Sequence, residues 1–156
     1  MTGGLRIWGE EGIEIRRARP SDQEAIRRMV HEMRLNPLGL HWERFLVASG
    51  SDGQLFGLGQ IKTHRDGSKE LASIAVVPRF RGQGLARALI EALLREEPPP
   101  VYLTCRSLLI PFYERFGFRT ASGQDLTPYF RRLRRLASLL SPLLPRAGRM
   151  AIMRRG

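Results

Sequence analysis

Residues 70–86, Glu70-Leu-Ala-Ser-Ile-Ala-Val-Val-Pro-Arg-Phe-Arg-Gly-Gln-Gly-Leu-Ala86, read as a strand, a glycine-rich turn and the start of a helix. Gly82 and Gly84 lack the Cβ that would hold a ligand away from the backbone. The unpaired N–H groups of a helix's first turn, with the helix dipole behind them, favour an anion. The stretch therefore has the makings of a phosphate cradle. It is not a Walker loop, because no Gly-Lys-Ser/Thr follows, and it lacks the glycine spacing of a dinucleotide fingerprint.

The surrounding elements follow from periodicity and turn chemistry. Residues 1–12 read as a leader, and residues 13–156 as one domain. Ile13–Ala18 alternates as a first strand. Ser21-Asp-Gln-Glu24 has the form of a capping box, with Ile26, Val30 and Met33 on one helical face and a stop before Asn36-Pro37. Phe45–Ala48 reads as a second strand. Leu55–Thr63 and Leu71–Val77 form a hairpin closed near Asp66-Gly67.

From Gly82 to about Glu96 the pattern is an amphipathic helix, with Leu85, Leu89, Ala92 and Leu93 inward and Arg87, Glu91 and Arg95 outward. Three prolines at 98–100 stop it. Val101–Cys105 is a fifth strand, Leu108–Phe116 a helix ending at Gly117, and Phe118 opens another strand. Residues 125–149 stand as a basic helical insertion before a final strand, Met150–Met153. Within it Tyr129, Leu133, Leu136, Ala137 and Leu140 share one face, and Arg131, Arg132, Arg134 and Arg135 largely the other.

Composition bounds the function classes. The 156 residues are 42% hydrophobic, enough for a packed core. The N-terminus has no apolar signal core and no run spans a bilayer, so the expected location is cytoplasmic. Cys105 is the single cysteine, which excludes an internal disulfide. His31, His41 and His64 have no metal-ligand spacing, so no metal is expected. The net charge of +11 suits a polyanionic cofactor or an acidic partner, while no nucleic-acid module is visible. It disfavours polycationic acceptors.

Two stretches carry a family resemblance. Arg81-Gly-Gln-Gly84-Leu-Ala86, preceded by Ala75-Val-Val-Pro78, resembles the Arg/Gln-x-x-Gly-x-Gly/Ala signature of the GCN5-related N-acetyltransferases (GNAT). Pro111-Phe-Tyr-Glu-Arg-Phe-Gly-Phe118 resembles that family's second signature, and the run from Leu103 is similar to the matching segment of arylalkylamine N-acetyltransferases. The resemblance implies an α/β fold, a mixed twisted sheet of six or seven strands with helices on both faces. Its central parallel strands would splay at the coenzyme site between Val76 and Val101.

The resemblance further implies acetyl transfer from acetyl-CoA to an amine acceptor by direct attack in a ternary complex. A small amine, open to being aromatic, is favoured. A protein N-terminus or lysine is the alternative within the class, and a non-catalytic acetyl-CoA-sensing or acidic-partner-binding module the alternative outside it. A homodimer stays open. Such chemistry needs a base for an ammonium of pKa near ~10.4, a donor for the thioester oxygen and a proton for the thiolate.

By position in the motifs, Glu70 would be the base and Tyr113 the acid. Ile74, Ala75 and Val76 would lie along the pantetheine, with a strand N–H near Val76 polarising the carbonyl. Arg81, Gly82, Gln83, Gly84, Leu85, Ala86 and Arg87 would hold the pyrophosphate. Ser107 stands where many members carry an asparagine. Ala72 replaces a histidine of the arylalkylamine group. Glu70 is expected to share a strand face with Ala72, Ile74 and Val76, with pairing to Lys62 or Lys69 in solvent as the bland reading. Cys105 is expected to be a buried structural thiol. Asn36, Trp42, Tyr129 and Phe130 fall where the resemblance puts the acceptor pocket.

Overall fold

Short alternating strands rich in Val, Ile, Leu and Phe build a mixed sheet in the computed structural model, which describes residues 12–143 and 149–156. The expected leader, apart from Gly12, and residues 144–148 of the insertion lie outside the described residues. In chain order the elements are β1 (Glu14–Arg17), α1 (Gln23–Glu32), β2 (Phe45–Ser49), β3 (Leu55–Thr63), β4 (Lys69–Val76) and α2 (Leu85–Glu96). β5 (Val101–Arg106), α3 (Ile110–Glu114), β6 (Phe118–Thr120), α4 (Pro128–Leu140) and β7 (Met150–Arg155) follow.

The seven strands run in the order β1-β2-β3-β4-β5-β7-β6. β1, β2 and β3 pair antiparallel in turn, whereas β4 and β5 are parallel at Glu70↔Tyr102. The last strand inserts antiparallel between β5 and β6. The chain divides into two compact units. One runs to Lys62 and takes in Leu71–Glu96; the other comprises Thr63–Glu70 and Glu97–Gly156.

In the first unit Ile26 and Val30 of α1 meet Phe45, Val47 and Leu58 of the strands in one buried cluster. α1 begins differently from the expected capping box. A 3-10 turn, Pro20–Asp22, precedes it, and Asp22 rather than Ser21 closes the turn by accepting the Arg19 N–H at 2.7 Å. Arg16 holds the same carboxylate at 2.7 Å. The Arg16 hydrogen bond, against the opposing effect of burial, keeps Asp22 below the usual carboxylate range.

α2 starts at Leu85, not Gly82, because Gly82 and Gly84 hold φ of +74° and +83°, which a right-handed helix does not accommodate. Its buried stripe is Leu85, Leu89, Ile90, Leu93 and Leu94, wider than the periodic reading.

In the second unit the core is Tyr102, Leu126, Phe130 and Ile152. α4 enters it through Phe130, which is fully buried and stacks on Tyr102 with ring centroids 4.6 Å apart. Of the expected apolar face, Tyr129 and Leu133 pack against this core, whereas Leu136 is 57% exposed and Leu140 48%; the deepest anchor is Phe130, which the periodic reading left off that face. The four arginines at 131, 132, 134 and 135 are exposed as expected. The helix expected over Leu108–Phe116 contracts to Ile110–Glu114, preceded by a 3-10 turn, Ser107–Leu109. No described helix is long and apolar enough to cross a membrane.

Candidate active site

β4 carries the candidate carboxylate. The strand begins at Lys69, two residues earlier than the pattern suggested, so Glu70 lies inside the ladder opposite Tyr102. Its side chain is buried, and both oxygens are engaged. Oε2 lies 2.7 Å from His64 Nε2, and Oε1 accepts the Thr104 hydroxyl at 3.3 Å. The bland reading of a carboxylate in solvent is corrected by this burial. Lys62 donates to the Leu38 carbonyl at 2.8 Å, and Lys69 to the Thr63 hydroxyl at 3.0 Å.

The uniform alternation expected from Glu70 to Val76 is broken at Ser73, which sits at φ +57°. Its hydroxyl accepts Gln60 Nε2 at 2.9 Å, a tether that holds the left-handed residue in place. Beyond this kink Ala75 and Val76 are both buried, as expected of a strand covered on both faces. Gln60 is itself fully buried, and its Oε1 has no hydrogen-bond partner among the described residues.

The β3–β4 turn explains how His64 reaches Glu70. It closes with His64 N–H on the Ser68 carbonyl and Gly67 N–H on the His64 carbonyl, both at 2.9 Å, at the Asp66-Gly67 pair read from sequence. With 64 opposite 68, residue 70 is the diagonal cross-strand neighbour of 64. The contact is legible from the hairpin register, whereas metal-ligand spacing among the histidines does not reveal it. Among the described residues no cluster of three or more His, Cys, Asp or Glu side chains is placed to hold a metal.

Around the imidazole stands a second set of groups. The His64 ring stacks on Tyr129, centroids 3.5 Å apart and planes 14° apart, and meets the edge of Phe130 at 5.7 Å. Asp66 Oδ2 accepts the Tyr129 N–H at 2.9 Å, pinning the start of α4 to the hairpin. Burial tends to raise the Asp66 pKa, but the hydrogen bonds from Ser68 and the Tyr129 N–H outweigh it and hold the carboxyl well below its usual range. Burial, with the Glu70 and Asp66 charges adding, pushes the Tyr129 phenol up and keeps it neutral. A pocket of about 560 Å³ opens here, with Thr63, His64, Arg65 and Asp66 of the hairpin on one side and Pro128, Tyr129 and Arg132 of α4 on the other. Glu70 does not line it.

Tyr113 sits on α3, half-buried, with Phe112 edge-on at 5.0 Å and Phe118 at 6.3 Å. Burial, and then the nearby Cys105 thiol, push its pKa up to about 12. Its hydroxyl makes no hydrogen bond to a described residue. Cys105 is half-buried, its Sγ 3.9 Å from Met153 Sδ, and burial raises its pKa, which suits a structural thiol rather than a nucleophile. Ser107 is exposed, and its N–H bonds the Arg149 carbonyl at 2.8 Å.

The glycine turn lies in the other unit. A Cβ built on Gly82 meets no described residue within 4 Å, so among these residues nothing covers the backbone of the turn there. Arg81 Nε donates to the Val76 carbonyl at 3.0 Å and Gln83 Nε2 to the Arg79 carbonyl at 3.1 Å, which fix the shape of the turn. Ala88 N–H is bonded to the Gly84 carbonyl. Arg87 pairs with Glu91 at 2.8 Å on the exposed face of α2, the surface role its position also allowed. Of the residues grouped around the expected acceptor pocket, only Tyr129 lines the cavity described above. Phe130 is core, Trp42 packs beside the first unit's cluster, and Asn36 caps the Leu38 N–H.

Comparison with known proteins points one way. The acetyltransferase (GNAT) domain family matches residues 41–120. An uncharacterized N-acetyltransferase, YhbS of Escherichia coli K12, is 34% identical over 121 residues, covering 72% of this chain and 68% of that protein. Rv2747 from Mycobacterium tuberculosis, solved with CoA and NLQ, is 25% identical, has a TM-score of 0.68 and covers 90% of this chain and 97% of that one. N-acetylglutamate synthase from Neisseria gonorrhoeae, complexed with coenzyme A and N-acetyl-glutamate, shares the fold at 20% identity and a TM-score of 0.69. The similarity covers 92% of this chain and 34% of the synthase, about a third of its length.

Proposed function

The chain belongs to the GNAT acetyltransferases, and on that premise we propose that it moves the acetyl group of acetyl-CoA to a small amine by direct attack in a ternary complex. The observation that carries the acceptor side is the buried Glu70 carboxylate, fixed at 2.7 Å from an imidazole that lines a pocket. Glu70 with that imidazole constitutes the base. The amine must lose a proton before it attacks, since an ammonium has no lone pair.

The glycine turn suits the coenzyme's pyrophosphate. Gly82 and Gly84 give close backbone approach, and the first-turn N–H groups of α2 from Leu85 to Arg87 point an anion site outward. Ile74, Ala75 and Val76 lie along the pantetheine, and an N–H of this kinked strand polarises the thioester oxygen. Tyr113 serves the departing sulfur. With its pKa pushed up to about 12 it stays protonated, so it acts first as a hydrogen-bond donor to the thiolate. Full proton transfer to a thiol of pKa near ~8.5 would run uphill.

Arg65 and Arg132 at the pocket favour an acceptor whose remainder is neutral or anionic over a polyamine. The test is calorimetric titration with acetyl-CoA, followed by free-thiol release across a panel of primary amines. Binding with release on at least one amine supports the enzyme. Binding with no release on any, protein N-termini included, would overturn transfer in favour of acetyl-CoA sensing, and no binding would overturn the coenzyme assignment itself.

A further inference from the structure

Resting on that reading, we propose that His64 is the group that takes the proton from the acceptor ammonium, with Glu70 as its positioning residue. The two are distinguished by access. Glu70 is inside the ladder, absent from the pocket wall, and both its oxygens already accept hydrogen bonds from His64 and Thr104. His64 lines the pocket, and no described residue bonds its Nδ1. A carboxylate against Nε2 fixes that nitrogen as the N–H donor in the neutral ring, which leaves the Nδ1 lone pair as the only basic position.

The ring is held in this orientation by its neighbours. Tyr129 covers one face at 3.5 Å and Phe130 closes an edge at 5.7 Å, while Asp66 ties the Tyr129 backbone to the hairpin that carries His64. The charged groups around it are Glu70 of β4, Arg65 and Asp66 of the turn, and Arg132 of α4. Asp66 is occupied by Ser68 and Tyr129, so Glu70 is the carboxylate that faces the imidazole.

The ammonium N–H bond breaks and its proton forms a bond to Nδ1, giving an imidazolium whose Nε2–H remains on the Glu70 carboxylate. The freed amine attacks the thioester carbonyl, the C–S bond breaks with its electron pair on sulfur, and the second amine proton ends on the coenzyme thiol. The imidazolium proton leaves to solvent through the pocket. Glu70 thus holds the ring in one tautomer and offsets its positive charge, as a buried aspartate does in a hydrolase triad.

The experiment uses the full chain with acetyl-CoA and three probe amines, 2-phenylethylamine, glycinamide and L-glutamate. His64→Ala should lower kcat/KM by about 10²–10³-fold and leave acetyl-CoA affinity unchanged. Its rate should then climb in proportion to added imidazole, which the vacated pocket admits. Glu70→Gln should also be slow, yet indifferent to imidazole. A His64→Ala variant that keeps the wild-type rate, or one that is folded, binds coenzyme and ignores imidazole, overturns the proposal. Should wild-type protein release no thiol with these probes, that failure belongs to the acetyl-transfer reading, and nitrogen-15 NMR of the His64 ring at pH 8 decides the inference separately. The Nε2–H tautomer upholds it; any other form overturns it.

Discussion

The imidazole of His64 lies flat on the phenol of Tyr129, with centroids 3.5 Å and planes 14° apart. The stack joins the β3–β4 hairpin to the helix that the sequence inserts before its last strand. Ring–ring contact of this kind contributes about 0.5–1.5 kcal/mol. Tyr129→Phe keeps the ring and should leave kcat/KM close to wild type, whereas Tyr129→Ala should lower it about 2- to 13-fold. Steady-state kinetics on any turned-over amine decides this, and equal losses in the two variants would assign the effect to the hydroxyl instead of the stack.

Tyr113 should show its role at the sulfur. Tyr113→Phe is expected to slow thiol release by about 10²–10³-fold, the loss of one positioned donor, without changing acetyl-CoA affinity. Because burial pushes its pKa up to about 12 against an unfolded value near ~10, the folded state holds the proton more tightly. That contribution to stability is fully present below pH ~10 and is lost as pH rises toward 12. The unfolding midpoint of the wild type should therefore fall more steeply than that of Tyr113→Phe across this window, and parallel curves would refute the shift.

Gly82 separates backbone strain from ligand access. No described residue stands within 4 Å of a Cβ there, yet its φ is +74°. Gly82→Val should cost about 1–2 kcal/mol of stability through the left-handed conformation. If the turn holds the pyrophosphate, the same side chain blocks the coenzyme, and calorimetry should find acetyl-CoA binding weakened more than tenfold. Unchanged affinity would remove the turn from the coenzyme site.

Asp22 provides a pH handle away from the chemistry. Its carboxylate is buried and holds Arg16 and the Arg19 N–H, each at 2.7 Å, and its pKa is lowered chiefly by the Arg16 hydrogen bond. A lowered folded pKa means the stabilisation is present above the unfolded value near ~3.9 and disappears as pH falls through the folded one. Asp22→Ala should cost about 2 kcal/mol at pH 7 in denaturant unfolding, and the gap to wild type should close in strong acid. A pH-independent gap would mean that packing, not charge, is what the mutation removes.

The sequence by itself determined the elements whose signals are local. The glycine turn before α2, the turn at Asp66-Gly67, the stop at Pro98–Pro100 and the strands from β1 to β5 all rest on φ preference or two-residue alternation within a few residues. Two spaced motifs were enough to indicate the family. What only the tertiary structure decided are relations between distant positions. Glu70 meets His64 because the hairpin register makes them diagonal neighbours, and it meets Thr104 because β5 docks beside β4. Ser73 breaks the expected strand face because a side chain 13 residues away tethers it. On α4 helical periodicity ranks Tyr129 and the leucines alike, yet Phe130 is the residue that finds a partner ring on Tyr102, while Leu136 and Leu140 do not. Periodicity records which residues share a face. Which face is covered, and by what, depends on surfaces the chain brings together only when it folds.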